Sequence, residues 1–297
     1  MTTVGLIGLG IMGMAYARNL RKAGIAVHGH DPVPAARETL AAIGGVACDR
    51  AADVARAADV ILIALPSVAA LEATVTEVLP VLRSGQVLAE MGTLPIAAKQ
   101  AARDRIAPTG ATLLDCPVSG TGAQAEKADL VIYMSGPAEA AETLRPVMAL
   151  IGKDVRHVGA FGDGMKLKLV ANLLVTIHNL ATAEALLLAQ RSGLDLSMVY
   201  EAIAGGGAAT SRMFEVRAPM MIAGAYEPAT MKMDVYSKDL QLIMDQARDM
   251  KCPVPLMAAS LPFYFAALAQ GRDKQDTAAL FAVLQQMTGA AAEGSPA

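Results

Sequence analysis

The chain has 297 residues, enough for two domains of ordinary size. Hydrophobic residues make up 54% of it and aromatics only 4%, so many small contacts must build its core, as in a helix-rich globular protein. A formal net charge of −3, with acids and bases interspersed, excludes a nucleic-acid footprint and a polybasic membrane patch.

Cys48, Cys116 and Cys252 lie far apart, with neither a CxxC pair nor metal-ligand spacing. That usage fits a reducing, cytoplasmic setting, and no metal site is expected. The opening run MTTVGLIGLG lacks the basic start and long apolar stretch of a secretory signal.

Between Val4 and about residue 158, short β-rich runs alternate with helical stretches. The runs are VGLIG (4–8), AVHGHD (26–31), VILIAL (60–65), QVLAEM (86–91), ATLLDC (111–116) and DLVIYMSG (129–136). Helical patterns fill the gaps, among them 12–24 and 97–107. This alternation predicts βαβ units and a mostly parallel sheet.

After Gly164 the strand signals stop. MKLKLVANLLVTIHNLATAEALLLAQRSG reads as one helix of about 27 residues, ended at Ser192-Gly193. Its length and apolarity approach a membrane span, but Asn172, His178, Asn179 and Glu184 interrupt it, so a buried helix and no membrane are expected. Shorter helices are expected near 196–204, 210–223, 234–250, 255–270 and 275–288, and the tail GAAAEGSPA is expected to fray. The predicted fold is an α/β Rossmann-type domain over 1–162, then an all-α C-terminal domain over 163–297, joined by the long helix.

The first strand runs into Gly8-Leu9-Gly10-Ile11-Met12-Gly13 and then a helix. In such a turn the first glycine makes the bend, the second admits a pyrophosphate, and the third lets helix pack on strand. The phosphates then meet the positive end of the helix. The second strand ends at Asp31, at the distance where an acid grips the adenosine ribose. A carboxylate there repels a 2′-phosphate, so NAD is expected, with NADP possible through nearby Arg37. His28 and His30 share a strand face without a further ligand nearby and read as strand residues.

The run GLGIMGMAYARNL (8–20) resembles the signature GLGxMGxxMAxNL of the β-hydroxyacid dehydrogenases, with Tyr16 at a usual methionine. DCPVSGTGAQAEKADL (115–130) resembles that family's DAPVSGGxxGAxxGTL, with Thr121, Gln124 and Ala128 replacing glycines. GDGMKLKLVAN (162–172) resembles GxGxxxKxxNN, with Ala171 at the first paired asparagine, and Lys238-Asp239-Leu240 resembles a family KDL. The four blocks keep the family order across most of the chain. The resemblance implies oxidation of a small β-hydroxy acid to its semialdehyde, or the reverse reduction.

Two lysines compete for the proton-transfer role. Residues four apart share a helix face, so Lys168 projects beside Asn172, whereas Lys166 is rotated away toward solvent. The chemistry needs a base for the substrate hydroxyl, and a lysine serves once burial and a positive nicotinamide lower its pKa from about 10.4. Lys168 and Asn172 are therefore the predicted catalytic pair.

The turn Ser119-Gly120-Thr121 follows a strand that ends at Asp115, where open sheets bind ligands, and offers donors to a substrate carboxylate. The resemblance implies the same role for it. By resemblance also, Leu65 and Pro66 line the cofactor site, Thr93 contacts the cofactor or the substrate, and Lys238 reaches the cofactor. The expected ligands are thus a dinucleotide and a small carboxylic acid, with no nucleic acid. The apolar outer face of the long helix suggests a homodimer or homotetramer. Alternatives are an NADPH-preferring semialdehyde reductase and a non-catalytic dinucleotide-binding module.

Overall fold

The computed structural model describes residues 3–289, so the tail from residue 290 lies outside the described residues. The chain divides into two compact units, one reaching to Lys168 and the other beginning at Leu169.

In the first unit, β1 (Thr3–Ile7), β2 (Ala26–His30), β3 (Val46–Ala47), β4 (Val60–Ile63), β5 (Val87–Glu90) and β6 (Thr112–Asp115) form one sheet in the order β3-β2-β1-β4-β5-β6. Every neighbouring pair is parallel, as the alternation of runs predicts. Every residue of β4 and β5 is buried, the mark of strands covered on both faces. The crossover helices are α1 (Ile11–Lys22), α2 (Pro34–Ala42), α3 (Ala51–Ala57), α4 (Val68–Val78) and α5 (Ile96–Ile106).

A smaller sheet follows: β7 (Val118–Ser119), β8 (Val131–Met134) and β9 (Asp154–His157), interleaved with α6 (Gly122–Glu126) and α7 (Ala138–Met148). Here β7 is antiparallel to β8, and β8 is parallel to β9. The run at 129–136 thus enters a second sheet. Three strands escape the sequence reading for a physical reason: β3 and β7 have two residues each, and β9 reads DVRH, which has no apolar period.

The long helix α8 (Asp163–Arg191) leads into the second unit, where α9 (Leu196–Ile203), α10 (Arg212–Ala223), α11 (Met233–Asp249), α12 (Pro255–Ala269) and α13 (Leu280–Met287) follow. Buried Leu169, Asn172, Thr176, Asn179, Ala183 and Leu186 recur at spacings of three and four and define the inward face of α8. The polar members of that face each make a hydrogen bond, although Asn179 Oδ1 is left without a partner among the described residues. Thr176 donates to the Asn172 carbonyl at 2.9 Å, and Asn179 Nδ2 donates to the Thr277 carbonyl at 2.9 Å. This pairing explains how so apolar a helix accommodates polar residues. Among the described residues α8 alone has the length and composition to cross a membrane, yet these groups face the interior of its unit.

One buried ion pair ties the second unit together. Arg217 Nη1 donates to Asp276 Oδ1 at 2.6 Å, while Asp276 Oδ2 accepts the Thr230 and Met231 N–H groups at 2.8 and 3.0 Å. Removing one partner would strand the other charge in the interior. Asp276→Ala is expected to cost about 3–5 kcal/mol in urea unfolding, since it also leaves the Thr230 and Met231 amides without their acceptor.

Candidate active site

The chain leaves β1, builds outward to β3, and returns to β4 on the other side of β1. Such a reversal opens a crevice at the carboxyl ends of the strands. The predicted dinucleotide residues of the first unit stand along that edge, whereas Lys238 lies on α11 of the second unit. Gly8 turns the chain with φ +93°, and a Cβ there would lie 2.2 Å from the Ala64 carbonyl oxygen, so the glycine turn and the Ala64-Leu65 segment are in direct contact. A Cβ on Gly13 would stand 1.9 Å from the Gly8 carbonyl oxygen, which is how closely α1 packs on the turn. At Gly10, by contrast, a Cβ would meet nothing within 4 Å.

Gly10 also starts α1, which has no side-chain cap and no acidic residue in its first turn. An uncapped helix end with an open glycine beside it suits an anion. The residues fit the dinucleotide that the motif implies. Asp31 follows β2, its Oδ2 accepting the Leu9 N–H at 2.8 Å and its Oδ1 the Val33 N–H at 2.9 Å. The carboxylate is thereby fixed beside the glycine turn, with lone pairs to spare for hydroxyl donors. Arg37 donates to the Asp31 carbonyl at 2.7 Å, so a guanidinium sits next to that acid.

Leu65 and Pro66 follow β4, and Thr93 follows β5. A Cβ on Gly92 would lie 2.9 Å from the Leu65 carbonyl oxygen, which brings those two segments together. Ser119 ends β7, and Gly120 follows it with φ +142°. A Cβ on Gly122 would come within 2.7 Å of Ile11 Cγ2, so this turn abuts the start of α1. Asn19 Nδ2 reinforces the contact by donating to the Ala125 carbonyl at 2.7 Å. Thr121 instead caps α6. Its hydroxyl accepts the Gln124 N–H and its own N–H donates to Gln124 Oε1 at 3.0 Å, which completes a capping box. The groups that Thr121 offers a ligand in sequence are engaged in that cap.

On α8, Lys168 and Asn172 are both buried, at 8% and 4% exposure, one turn apart. Lys166 is exposed and donates to Asp163 Oδ1 at 2.8 Å. Asn172 Nδ2 donates to Asp239 Oδ2 at 2.9 Å. Asp239 escaped the sequence reading, although it stands inside the Lys238-Asp239-Leu240 run; its neighbour Lys238 is exposed.

Sequence reasoning also missed a charged cluster at the strand ends. Lys99 Nζ lies 2.7 Å from Glu90 Oε2 and donates to Asp115 Oδ1 at 2.7 Å, with all three side chains fully buried. Glu90 and Asp115 are register partners on β5 and β6. Burial raises the pKa of Glu90, with Lys99 opposing. For Lys99, burial is outweighed by the two carboxylates, which raise its pKa. Two acids ending adjacent strands, with a lysine in the next helix, were the available signal.

Fold and glycine turn together define a dinucleotide-binding protein, and comparison with known proteins narrows the class to oxidoreductases. Residues 3–159 match the family model described as the NAD binding domain of 6-phosphogluconate dehydrogenase. Residues 162–284 match the one described as NAD-binding of NADP-dependent 3-hydroxyisobutyrate dehydrogenase. The chain is 34% identical to L-threonate dehydrogenase of Cupriavidus necator over 94% of its own length and 95% of that protein's. It is 33% identical to 2-hydroxy-3-oxopropionate reductase of Escherichia coli, covering 96% and 97% respectively. A solved 3-hydroxyisobutyrate dehydrogenase from Mycobacterium tuberculosis, in complex with L-serine, superposes with a TM-score of 0.89 at 27% identity, covering 96% of this chain and 99% of that one. The chain belongs to the NAD(P)-dependent β-hydroxyacid dehydrogenase family.

Proposed function

We propose that this enzyme interconverts a small β-hydroxy acid and its semialdehyde, with Lys168 as the general acid/base and Asn172 as its partner. The observation that carries the reading is a lysine buried to 8% exposure in the second turn of α8, with a buried asparagine one turn on. Burial is unusual for lysine and argues for a use of the amine. When bound, the dinucleotide supplies the acceptor for the hydride that leaves the hydroxyl-bearing carbon. The amine of Lys168 takes the hydroxyl proton in oxidation and returns it in reduction. Asn172, oriented by Asp239, adds an uncharged polar group beside that amine.

Gly8 to Gly13 hold the pyrophosphate and Asp31 the adenosine ribose, with Leu65, Pro66, Thr93 and Lys238 as further cofactor contacts. Ser119 and Gly120 donate to the substrate carboxylate, and Thr121 holds their turn through its cap. In this reading residues 1–162 bind the cofactor, and 163–297 serve substrate binding and self-association. The activity is tested with a panel of small 3-hydroxy acids and the matching semialdehydes, following absorbance of NADH and NADPH. Absence of turnover across the panel would sink the reading.

NAD is the preferred cofactor in this reading, because Asp31 presents a fixed carboxylate. Replacing Asp31 with Asn keeps an acceptor for the Leu9 N–H and removes the charge. The ratio of kcat/KM for NAD over NADP should fall at least about tenfold, or 1.4 kcal/mol. One observation favours the second reading, an NADPH-preferring reductase: Arg37 lies close enough to bond the Asp31 carbonyl. A native preference for NADP would establish that reading instead.

The enzyme is also proposed to be cytoplasmic and a homodimer or homotetramer. Helix α12 has no charged residue and presents Leu256 and Phe265 to solvent at 65% and 54% exposure. A helix apolar on every side calls for cover. Light scattering that gives a monomer would refute self-association.

A further inference from the structure

The buried cluster at the ends of β5 and β6 does more than satisfy its own charges. Asp115 Oδ1 faces Lys99, and Asp115 Oδ2 accepts the Met165 N–H of α8 at 2.8 Å. Ser135, just past β8 and itself fully buried, donates to Asp115 Oδ2 at 3.1 Å. The same Ser135 oxygen accepts the Gly164 N–H at 2.9 Å and the Gly162 N–H at 3.3 Å. Three backbone amides at the start of α8 are therefore held by two side chains lying 27 to 50 residues earlier in the chain.

First-turn amides have no acceptor within their own helix, and a neighbouring side chain usually supplies one. A local cap completes a helix without deciding where it sits. A cap from a distant strand does both. The fit is also sterically narrow, since a Cβ on Gly164 would lie 2.6 Å from the Tyr133 carbonyl oxygen and 3.0 Å from Pro117 Cδ.

The cluster reaches two further segments. Glu90 Oε1 accepts the Gly92 N–H at 2.8 Å, immediately before Thr93. The Cys116 N–H donates to the Glu90 carbonyl at 2.8 Å, and that segment continues to Ser119. One lysine against two carboxylates leaves the cluster short of positive charge, and the amide-rich, positive end of α8 lies on Asp115. Buried ion clusters are weak sources of stability compared with apolar packing, so their value here lies in fixing geometry.

We propose that Asp115 and Ser135, braced by Lys99 and Glu90, are positioning residues that fix the first turn of α8, and with it Lys168, relative to the segments carrying Thr93 and Ser119. Lys168 lies three residues beyond Met165, on the same helix face. The inference rests on the reading of Lys168 as the proton carrier.

The test compares wild type, Ser135→Ala and Lys168→Ala as holoenzymes, with turnover expressed per mole of NADH bound. Ser135→Ala is expected to lower kcat about ten- to hundredfold, with KM for the hydroxy acid and Kd for NADH within about threefold of wild type. The deuterium isotope effect on kcat, measured with substrate labelled at the carbinol carbon, should rise as proton and hydride transfer become slower. Unchanged kcat in Ser135→Ala, whatever happens to its Tm, overturns the proposal if Lys168→Ala is inactive. If Lys168→Ala retains full turnover, the reading of Lys168 fails and the positioning role fails with it. Should Ser135→Ala not fold, hydrogen exchange in the wild-type holoenzyme decides. The Gly164 and Met165 amides should exchange as slowly as those of β5, and rapid exchange at both overturns the proposal.

Discussion

Lys168→Ala is expected to lower kcat by about 10²–10⁴-fold while NADH binds as in wild type, measured by steady-state turnover and fluorescence titration. The split follows from position. Apart from Lys238 on α11, the residues assigned to the dinucleotide stand at the carboxyl ends of β1, β2, β4 and β5, whereas Lys168 is in the second turn of α8. Removing the amine leaves the glycine turn and Asp31 untouched. The residual rate then reports substrate positioning alone. Because the deleted side chain is buried, the variant retains a cavity, and small primary amines added to the buffer should restore part of the rate in proportion to their concentration. Lys166→Ala, which loses an exposed pair with Asp163, should turn over normally. Equal losses in the two variants would remove the distinction drawn between the lysines.

Gly13→Ala is expected to destabilise the first unit by about 1–3 kcal/mol or more and to abolish measurable cofactor binding. The third glycine of such turns tolerates alanine in some proteins. Here a Cβ would stand 1.9 Å from the Gly8 carbonyl oxygen, an approach that forces α1 away from the turn. Gly10→Ala provides the contrast. Its φ of −67° suits any residue, and its Cβ would enter open space. The Gly10 variant should unfold at nearly the wild-type urea concentration yet bind NADH at least about tenfold more weakly, because its methyl enters the space assigned to the pyrophosphate. Loss of binding in Gly13→Ala and retention in Gly10→Ala would place the phosphates elsewhere.

The legibility of the candidate site varied residue by residue. Gly8 and Gly13 could be read because only glycine meets the steric demands of this strand-to-helix turn, and Gly10 because a pyrophosphate needs the space a side chain would fill. Lys168 and Asn172 could be paired because helical periodicity is local. Ser119 to Thr121 were legible as a turn, but the capping box that engages Thr121 requires knowing that α6 starts there. Asp239 was passed over beside Lys238, since nothing local shows that its carboxylate accepts from Asn172, 67 residues earlier.

By itself the sequence determined the alternation of strand and helix, the parallel sheet, the long helix α8 and the nucleotide-binding turn. Each of these rests on periodicity or on a backbone demand expressed within a few residues. Tertiary structure alone decided that the run at 129–136 joins a second sheet, that Glu90, Lys99 and Asp115 meet in the interior, and that Ser135 caps a helix 29 residues away. Pairings of that kind depend on which strand ends become neighbours. That information lies in the path of the whole chain, and no stretch of residues carries it alone.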